Sequence, residues 1–291
     1  MPEIVTQCPL CASDSSLPFD RRESHGRLVE NRICRNCGLV FQSPRMTADE
    51  AAAFYAREYR LLQEGSAAPT PRNTRVQEMR AESLLDFVRQ EIPHISRHLD
   101  IGCSMGILLR RFQNAYDSQA VGIEPGEMHR RQAQQAGLTV YAGLEDLERA
   151  GESPFDLITM SHVLEHLPAP VEYLTHLRES LLAPNGWLLV EVPNLYAHDS
   201  FEVAHLFAFS PHTLGEVLCR SGFEIVKFEQ HGRPNSALLP LYLTVLCCPS
   251  AHPATSPVHP ERGVRGKRRW GMLRRWILAH LFPRRAWKEI R

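Results

Sequence analysis

Cys8 and Cys11 stand in the string CPLC, and Cys34 and Cys37 in CRNCG, with 22 residues between the two pairs. Each CxxC lets two thiolates converge on one ion from a tight turn, and two such turns complete the four-sulfur tetrahedron of a structural zinc site. Gly38 follows the second pair, where a knuckle often needs positive φ. The interval between the pairs slightly exceeds the usual ~15–20 residues, which predicts a short hairpin or loop inside it. A closed thiolate shell leaves no position for a reacting ligand, so Cys8, Cys11, Cys34 and Cys37 are expected to hold Zn²⁺ structurally. A redox dithiol or plain reduced thiols are the alternatives.

A second set lies further on. LDIGCSMG, Leu99 to Gly106, reads as a strand entering a glycine-broken turn and then a helix. A dinucleotide fingerprint would place glycines as GxGxxG so that the backbone approaches a pyrophosphate. Counted from Gly102, its other two glycine places hold Ser104 and Ile107, so that reading fails. What remains is Asp100, Gly102 and Gly106, with Glu124 ending the next apolar run, where a carboxylate can accept both hydroxyls of a ribose. A ligand with a ribose, an ammonium group and no phosphate suits this set, and S-adenosylmethionine is such a ligand.

HVLEH, His162 to His166, also spells HxxEH, the metalloprotease pattern in which a helix brings two histidines to zinc. That chemistry needs a continuous helix, whereas here the segment directly follows a strand and meets Pro168 and Pro170. At a strand's carboxyl end, His166 and then His162 are candidates to take a proton from an acceptor, and His205 in HLFAFS is a third. Capping or core packing is the ordinary alternative for each.

Around these residues the chain of 291 alternates in the α/β manner, and at 43% hydrophobic it can bury one sizeable core. Thr47 and Glu50 spell a capping box opening a helix through AAAFYAREYRLL, and Gly65 to Asn73 reads as a linker. A helix through AESLLDFVRQ precedes the strand ending at Ile101. Another starts at Met105, and a third spans Gly126 to Ala136. FDLITM and WLLVEV are apolar runs of the kind buried on both faces of a parallel sheet. A helix from His212 to Ser221 leads to FEIVKFEQ and ALLPLYLTVL. The expected fold is a doubly wound Rossmann-like α/β sheet with its ligand at the strand carboxyl ends, plus a small zinc ribbon. We divide the chain into a ribbon (1–45), a helical linker (46–74), a ligand-binding domain (75–250) and a basic tail (251–291).

From about Arg75 to Gly232 the chain resembles class I SAM-dependent methyltransferases. LDIGCSMG is similar to their glycine loop, VGIEP to their ribose-binding acid, FDLITMSHVLEHL to the fourth-strand motif and NGWLLVEVPN to the fifth strand. CRNCGLVFQSPR, AFYAREY and HLFAFSPHTLGEVLCRSGFEIV resemble the subgroup with an N-terminal zinc ribbon. Four motifs in order are far more specific than any one. The resemblance implies that the turn from Gly102 through Cys103 to Gly106 passes the methionine part of the cofactor, that Glu124 holds the ribose, and that Leu144 and Ser161 lie near the adenine. Ser104 departs from the family, which usually has a third glycine there. The implied activity is O-methylation, or less expectedly C- or N-methylation, of a small molecule or glycan such as a sugar or lipid-linked saccharide. An RNA methyltransferase and a non-catalytic cofactor-binding module are the alternatives.

Charge separates the ends of the chain. Glu261 to Arg291 carries 11 basic and 2 acidic residues, leaving 22 basic and 31 acidic elsewhere. An acidic body disfavours a nucleic-acid partner. The tail can form a helix with Trp270, Leu273, Ile277 and Leu281 on one face and Arg268 and Arg275 opposite, a composition suited to an anionic membrane surface, with docking on its own domain or solvation as alternatives. Met1 to Cys8 lacks signal-peptide character, and the apolar stretch Leu238 to Cys248, broken by Pro240, falls short of the ~20 residues of a membrane span. The expected location is cytoplasmic, with peripheral contact at the inner membrane face.

Overall fold

The computed structural model describes residues 2–57, 70–251 and 257–290. Its centre is a seven-stranded sheet ordered β10-β11-β8-β7-β4-β5-β6, comprising β4 (Arg97–Ile101), β5 (Gln119–Ile123), β6 (Thr139–Tyr141), β7 (Phe155–Ser161), β8 (Leu182–Pro193), β10 (Phe223–His231) and β11 (Tyr242–Pro249). From β6 to β8 the neighbours run parallel, while β11 inserts antiparallel between β8 and β10. The order reverses beside β4, and that crevice is where doubly wound sheets bind ligands. Leu157, Ile158, Met160, Leu188, Leu189, Val190 and Val192 are all buried, as two-sided cover requires.

The helices start where local chemistry supplies a cap. The Thr47–Glu50 capping box forms in both directions and opens α1 (Ala48–Arg57). The helix expected through AESLLDFVRQ begins earlier, as α2 (Pro71–Val88), because Thr70 accepts from the Asn73 N–H and Pro71 occupies the first turn. The linker reading of Gly65 to Asn73 therefore meets helix at its last three residues, and 65–69 lie outside the described residues. Ala81, Leu84, Leu85, Phe87 and Val88 form the buried stripe of α2. After β4 come α3 (Ile107–Tyr116), α4 (Glu127–Gln135), α5 (Leu144–Arg149), α6 (Pro170–His176) and α7 (Pro211–Arg220), the last opened by a second capping box, Ser210 with Thr213. The tail forms α8 (Val264–Leu281) and a short α9 (Pro283–Ala286).

A second sheet, ordered β1-β2-β3-β9, builds the amino-terminal part. β1 (Ser16–Ser24) and β2 (Arg27–Cys34) make the hairpin expected between the cysteine pairs. Its two turn residues, His25 and Gly26, both take positive φ, as a tight primed hairpin turn demands. β3 (Val40–Gln42) then pairs with β9 (Phe207–Ala208), a segment that follows β8 by 13 residues of loop. Cys8, Leu10, Cys34, Cys37, Leu39 and Phe41 share one apolar cluster with Phe207, Phe209, Leu214 and Val217. The ribbon is thus a corner of the main core.

Candidate functional site

A cleft of about 440 Å³ opens at the carboxyl ends of β4, β5 and β7. Asp100, Gly102, Cys103, Glu124, Leu144, Ser161, His162 and His166 line it, together with Gln77 and Arg80 from α2. Gly106 is not in the lining; it caps α3 at φ +78, with Leu138 packed where a Cβ would stand. Gly102 is left-handed too, at φ +76, and its N–H and that of Cys103 both donate to the Ile123 carbonyl, at 2.8 and 2.9 Å. Ser104, which takes the place of the family's third glycine, has φ +50. That turn needs a residue tolerant of the left-handed region, which explains the glycine usually found there.

Glu124 is buried, and its two oxygens accept the Ser104 and Gly126 N–H groups at 2.9 and 2.8 Å. Those bonds fix the carboxylate while leaving lone pairs for a diol. Asp100 accepts from Thr159 Oγ1 at 2.7 Å. Burial pushes its carboxyl up to about 7, the Thr159 bond works against this, and the Glu124 charge adds to it. An acid of that kind gains from a cationic ligand. Ribose and ammonium acceptors therefore sit on one wall, so these residues fit S-adenosylmethionine.

The opposite wall is built from histidines and carboxylates. HVLEH does not continue as an α-helix: it forms a single 3₁₀ turn, Leu164–His166, preceded by His162 at φ +57. His162 lies between two buried acids, with Nδ1 3.3 Å from Glu165 and Nε2 3.4 Å from Glu191. Burial and the Arg80 charge oppose its protonation, but the two carboxylates outweigh them and raise its pKa. Glu191 also meets Arg80 at 3.2 Å and His231 at 3.3 Å, and accepts from Thr244. Against the cost of burial, Arg80, His162 and His231 hold it well below the ordinary carboxylate range. His166 donates from Nδ1 to the Ala204 carbonyl at 2.9 Å. Burial pushes its pKa down to about 4, leaving a neutral imidazole. His205 does not line the cleft; it packs behind His166, ring centroids 4.8 Å apart, and donates from Nδ1 to the Ser200 carbonyl.

Arg80, Glu191 and His231 were not anticipated. Glu191 left a trace, a lone acid inside the apolar run WLLVEV, whereas nothing in the pattern of α2 singles out Arg80.

The cysteine pairs meet as expected. Cys8 and Cys37 sulfurs are 3.5 Å apart and those of Cys11 and Cys34 3.6 Å, close to the edge of about 3.8 Å that a ~2.3 Å Zn–S bond sets in a tetrahedron. All four ligand atoms lie within 4.8 Å of one another, and the donor set fits structural zinc. The residue after each pair is left-handed, Ala12 at φ +57 and Gly38 at φ +85, and each sends its N–H back to the first cysteine's carbonyl. The tail reaches this site, since Glu261 N–H donates to the Cys37 carbonyl. α8 then docks through Arg268, bonded to the His198 carbonyl and Asp199, and through Arg275, bonded to the Ala197 carbonyl. The arginines expected opposite the apolar face thus point inward. Trp270, Leu273, Trp276, Ile277 and Leu281 are exposed, Trp270 at 67%.

Comparison with known proteins agrees with this geometry. The model of a family described as a methyltransferase domain matches residues 68–227. A ubiquinone biosynthesis O-methyltransferase of Cereibacter sphaeroides is 36% identical over 105 residues, 34% of this chain and 41% of that protein. Its counterpart in Actinobacillus pleuropneumoniae is 30% identical over 123 residues, 38% and 52% of the two chains. The chain therefore spans only about half or less of the length of these curated relatives. Among solved structures, the Burkholderia thailandensis 1,6-didemethyltoxoflavin-N1-methyltransferase, crystallised with 1,6-didemethyltoxoflavin and S-adenosylhomocysteine, aligns at a TM-score of 0.56. The two share 18% identity, and the alignment covers 80% of this chain and 99% of that one, a likeness of fold.

Proposed function

This chain belongs to the methyltransferase-domain family, and on that premise we propose that it transfers the methyl group of S-adenosylmethionine to a hydroxyl oxygen of a small molecule, with a sugar or lipid-linked saccharide as the favoured acceptor. The observation that carries this reading is the pairing in one cleft of a preset diol-binding carboxylate, Glu124, with a neutral, carbonyl-anchored His166. Similarity to O-methyltransferases of ubiquinone biosynthesis supports oxygen as the accepting atom. The bound cofactor supplies an electrophilic methyl group on a sulfonium. Glu124 then grips the ribose, Asp100 and the Gly102–Gly106 turn face the methionine portion, and Leu144 with Ser161 flank the adenine. His166 is the candidate base: Nε2 is its acceptor nitrogen, and because that atom is buried 4.0 Å from Glu165 Oε1, the ring must turn toward the acceptor to take the hydroxyl proton.

A labelled-methyl screen across lipid-linked sugars, nucleotide sugars and RNA tests the reading, with Glu124→Ala alongside. Losing a charged acceptor of two hydroxyls costs about 1.5–3 kcal/mol, roughly a tenfold to hundredfold loss of cofactor affinity by calorimetry. A protein that binds NADH and ignores S-adenosylmethionine overturns it. Cofactor binding with no transfer to any acceptor assigns a non-catalytic module instead, and transfer to RNA assigns the nucleic-acid alternative.

A second observation, the outward tryptophans of α8, supports an anionic lipid surface as partner. Trp270, Trp276 and Leu281 are exposed among Arg269, Arg274, Arg284 and Arg285, an apolar stripe with a basic rim. No described helix is long and apolar enough to cross a membrane, so the contact is interfacial. Phosphatidylserine vesicles should pellet the wild-type chain at low salt and release the Trp270→Ala, Trp276→Ala double variant. Equal pelleting of both removes the role.

A further inference from the structure

Behind the cleft wall, three side chains converge in a manner that proton transfer does not require. Glu165 is 1% exposed, and neither of its carboxylate oxygens accepts an aligned hydrogen bond among the described residues. His166 Nε2 and His205 Nε2 each stand 4.0 Å from its Oε1. Both rings are locked from the far side, because Nδ1 donates to the Ala204 carbonyl in one and to the Ser200 carbonyl in the other. That tautomer leaves each Nε2 with a lone pair directed at a carboxylate that also offers lone pairs. Protonated rings would close on the acid to about 2.9 Å, the ordinary N–H···O distance, and here they stand off. Three acceptors facing one another at this range suit a cation between them. A carbonyl on Nδ1 is also the usual outer partner of a metal-binding histidine.

We propose that Glu165, His166 and His205 form a second metal site, for one divalent transition-metal ion. Two imidazoles and a carboxylate select ions such as Mn²⁺, Fe²⁺, Co²⁺ or Zn²⁺ over Mg²⁺ and Ca²⁺, which prefer oxygen ligands. The three ligand atoms lie within 4.8 Å of one another, and bonds of about 2.0–2.2 Å draw them together by roughly 1 Å. The Leu206 N–H donates to the Glu165 carbonyl at 2.8 Å, which fixes the 3₁₀ turn against the segment carrying His205. His162 Nδ1, 3.3 Å from Glu165 Oε1, steers the carboxylate from the other side. This is not the HxxEH pair of a zinc helix: His162 serves as orienter, and the second histidine ligand comes 39 residues after the first.

Three protein ligands leave coordination positions open, and His166 puts them on the cleft. On the reading that the cleft methylates a hydroxyl, the acceptor oxygen fills one of them. An ion-bound hydroxyl gives up its proton more readily, to solvent water at the cleft mouth, and the oxygen stays on the ion facing the methyl group. With the ion in place, His166 is a ligand and no longer the base.

The test uses the full chain with its ribbon loaded with zinc, titrated with Mn²⁺ while the free-ion electron paramagnetic resonance signal is followed. The expected result is one Mn²⁺ bound per wild-type chain and none in Glu165→Gln or His205→Ala, with ribbon zinc and S-adenosylmethionine affinity retained in both. The His205→Ala arm decides the matter if Glu165→Gln lowers the melting temperature. A wild-type chain that takes up no Mn²⁺ and no second equivalent of zinc overturns the site, as does equal binding by wild type and His205→Ala. One bound Mn²⁺ without methyl transfer to any acceptor leaves the site standing and removes only the functional reading.

Discussion

The four thiolates of the ribbon and the Glu165–His166–His205 cluster are both convergent donor sets in one protein, yet they are assembled by different means. In the ribbon, each pair of ligands belongs to one turn closed by its own backbone bonds, such as Gly38 N–H to the Cys34 carbonyl. The second cluster joins a 3₁₀ turn after β7 to a loop between β8 and β9, and only the docking of these segments brings His205 to Glu165. A geometry set within one turn is written in residue spacing. One set by docking is not.

Four substitutions bear on that contrast. The largest effect is expected from Cys34→Ser. Structural zinc contributes about 10–16 kcal/mol of apparent binding energy in small zinc modules, which rivals the roughly 5–15 kcal/mol stability of a whole domain. Elemental analysis should show the loss of one zinc per chain, and hydrogen exchange should show loss of protection over residues 2–43 and in β9, which pairs with β3. Retained protection in β9 would mean that the ribbon and the body are less joined than their shared core implies.

Next in size is Glu191→Gln, which breaks the charge network under the histidine wall. Removing one partner of a buried ion pair costs about 3–5 kcal/mol, here by leaving Arg80 without its counter-charge and His162 with Glu165 alone. The sign of its pH dependence follows from the direction of the shift. Glu191 is held well below its ordinary pKa in the folded chain, so its stabilisation is complete above the unfolded value and is lost as pH falls through the folded one. Glu165, lowered to about 2 by its histidines against burial, adds in the same direction. The wild type should therefore lose stability in acid between about pH 5 and 2, and Glu191→Gln should show a shallower slope from a lower starting point. Melting temperature against pH measures both, and identical slopes would sink the network's role.

The smallest effect compares the two knuckles. Gly38 occupies its left-handed position without strain, whereas Ala12 does so with a Cβ. Ala12→Gly should stabilise the ribbon by about 1 kcal/mol, the cost of a left-handed non-glycine residue. Gly38→Ala should destabilise by more, because the added Cβ would meet the Glu261 carbonyl at 2.7 Å. Denaturant midpoints with unchanged slopes would report each difference.

Much of the cleft wall beside β4 and β5 could be read directly. Asp100, Gly102 and Glu124 lie at strand ends and in the turn between them, and the βαβ pattern places such residues at one sheet edge. Leu144 and Ser161 came through family resemblance, and both line the cleft. The tail was half legible: its apolar stripe followed from helical spacing, but spacing could not say which face would dock. Arg268 and Arg275 turned inward because the carbonyls of Ala197 and His198 and the Asp199 carboxylate offered them acceptors.

By itself the sequence determined what depends on neighbours a few residues apart: both zinc knuckles, the capping boxes, the alternation of strands with helices, and the glycine turn with its acidic partner. Those features rest on backbone sterics and on bonds closed within one or two turns, and they survive whatever the rest of the chain does. Only the tertiary structure decided that the ribbon sheet would be completed by Phe207–Ala208, that Arg80 would reach Glu191 from α2, and that His205 would stand behind His166 facing Glu165. Each of those meetings joins segments at least 39 residues apart, and burial inside a shared core, which has no sequence period, fixes where they touch.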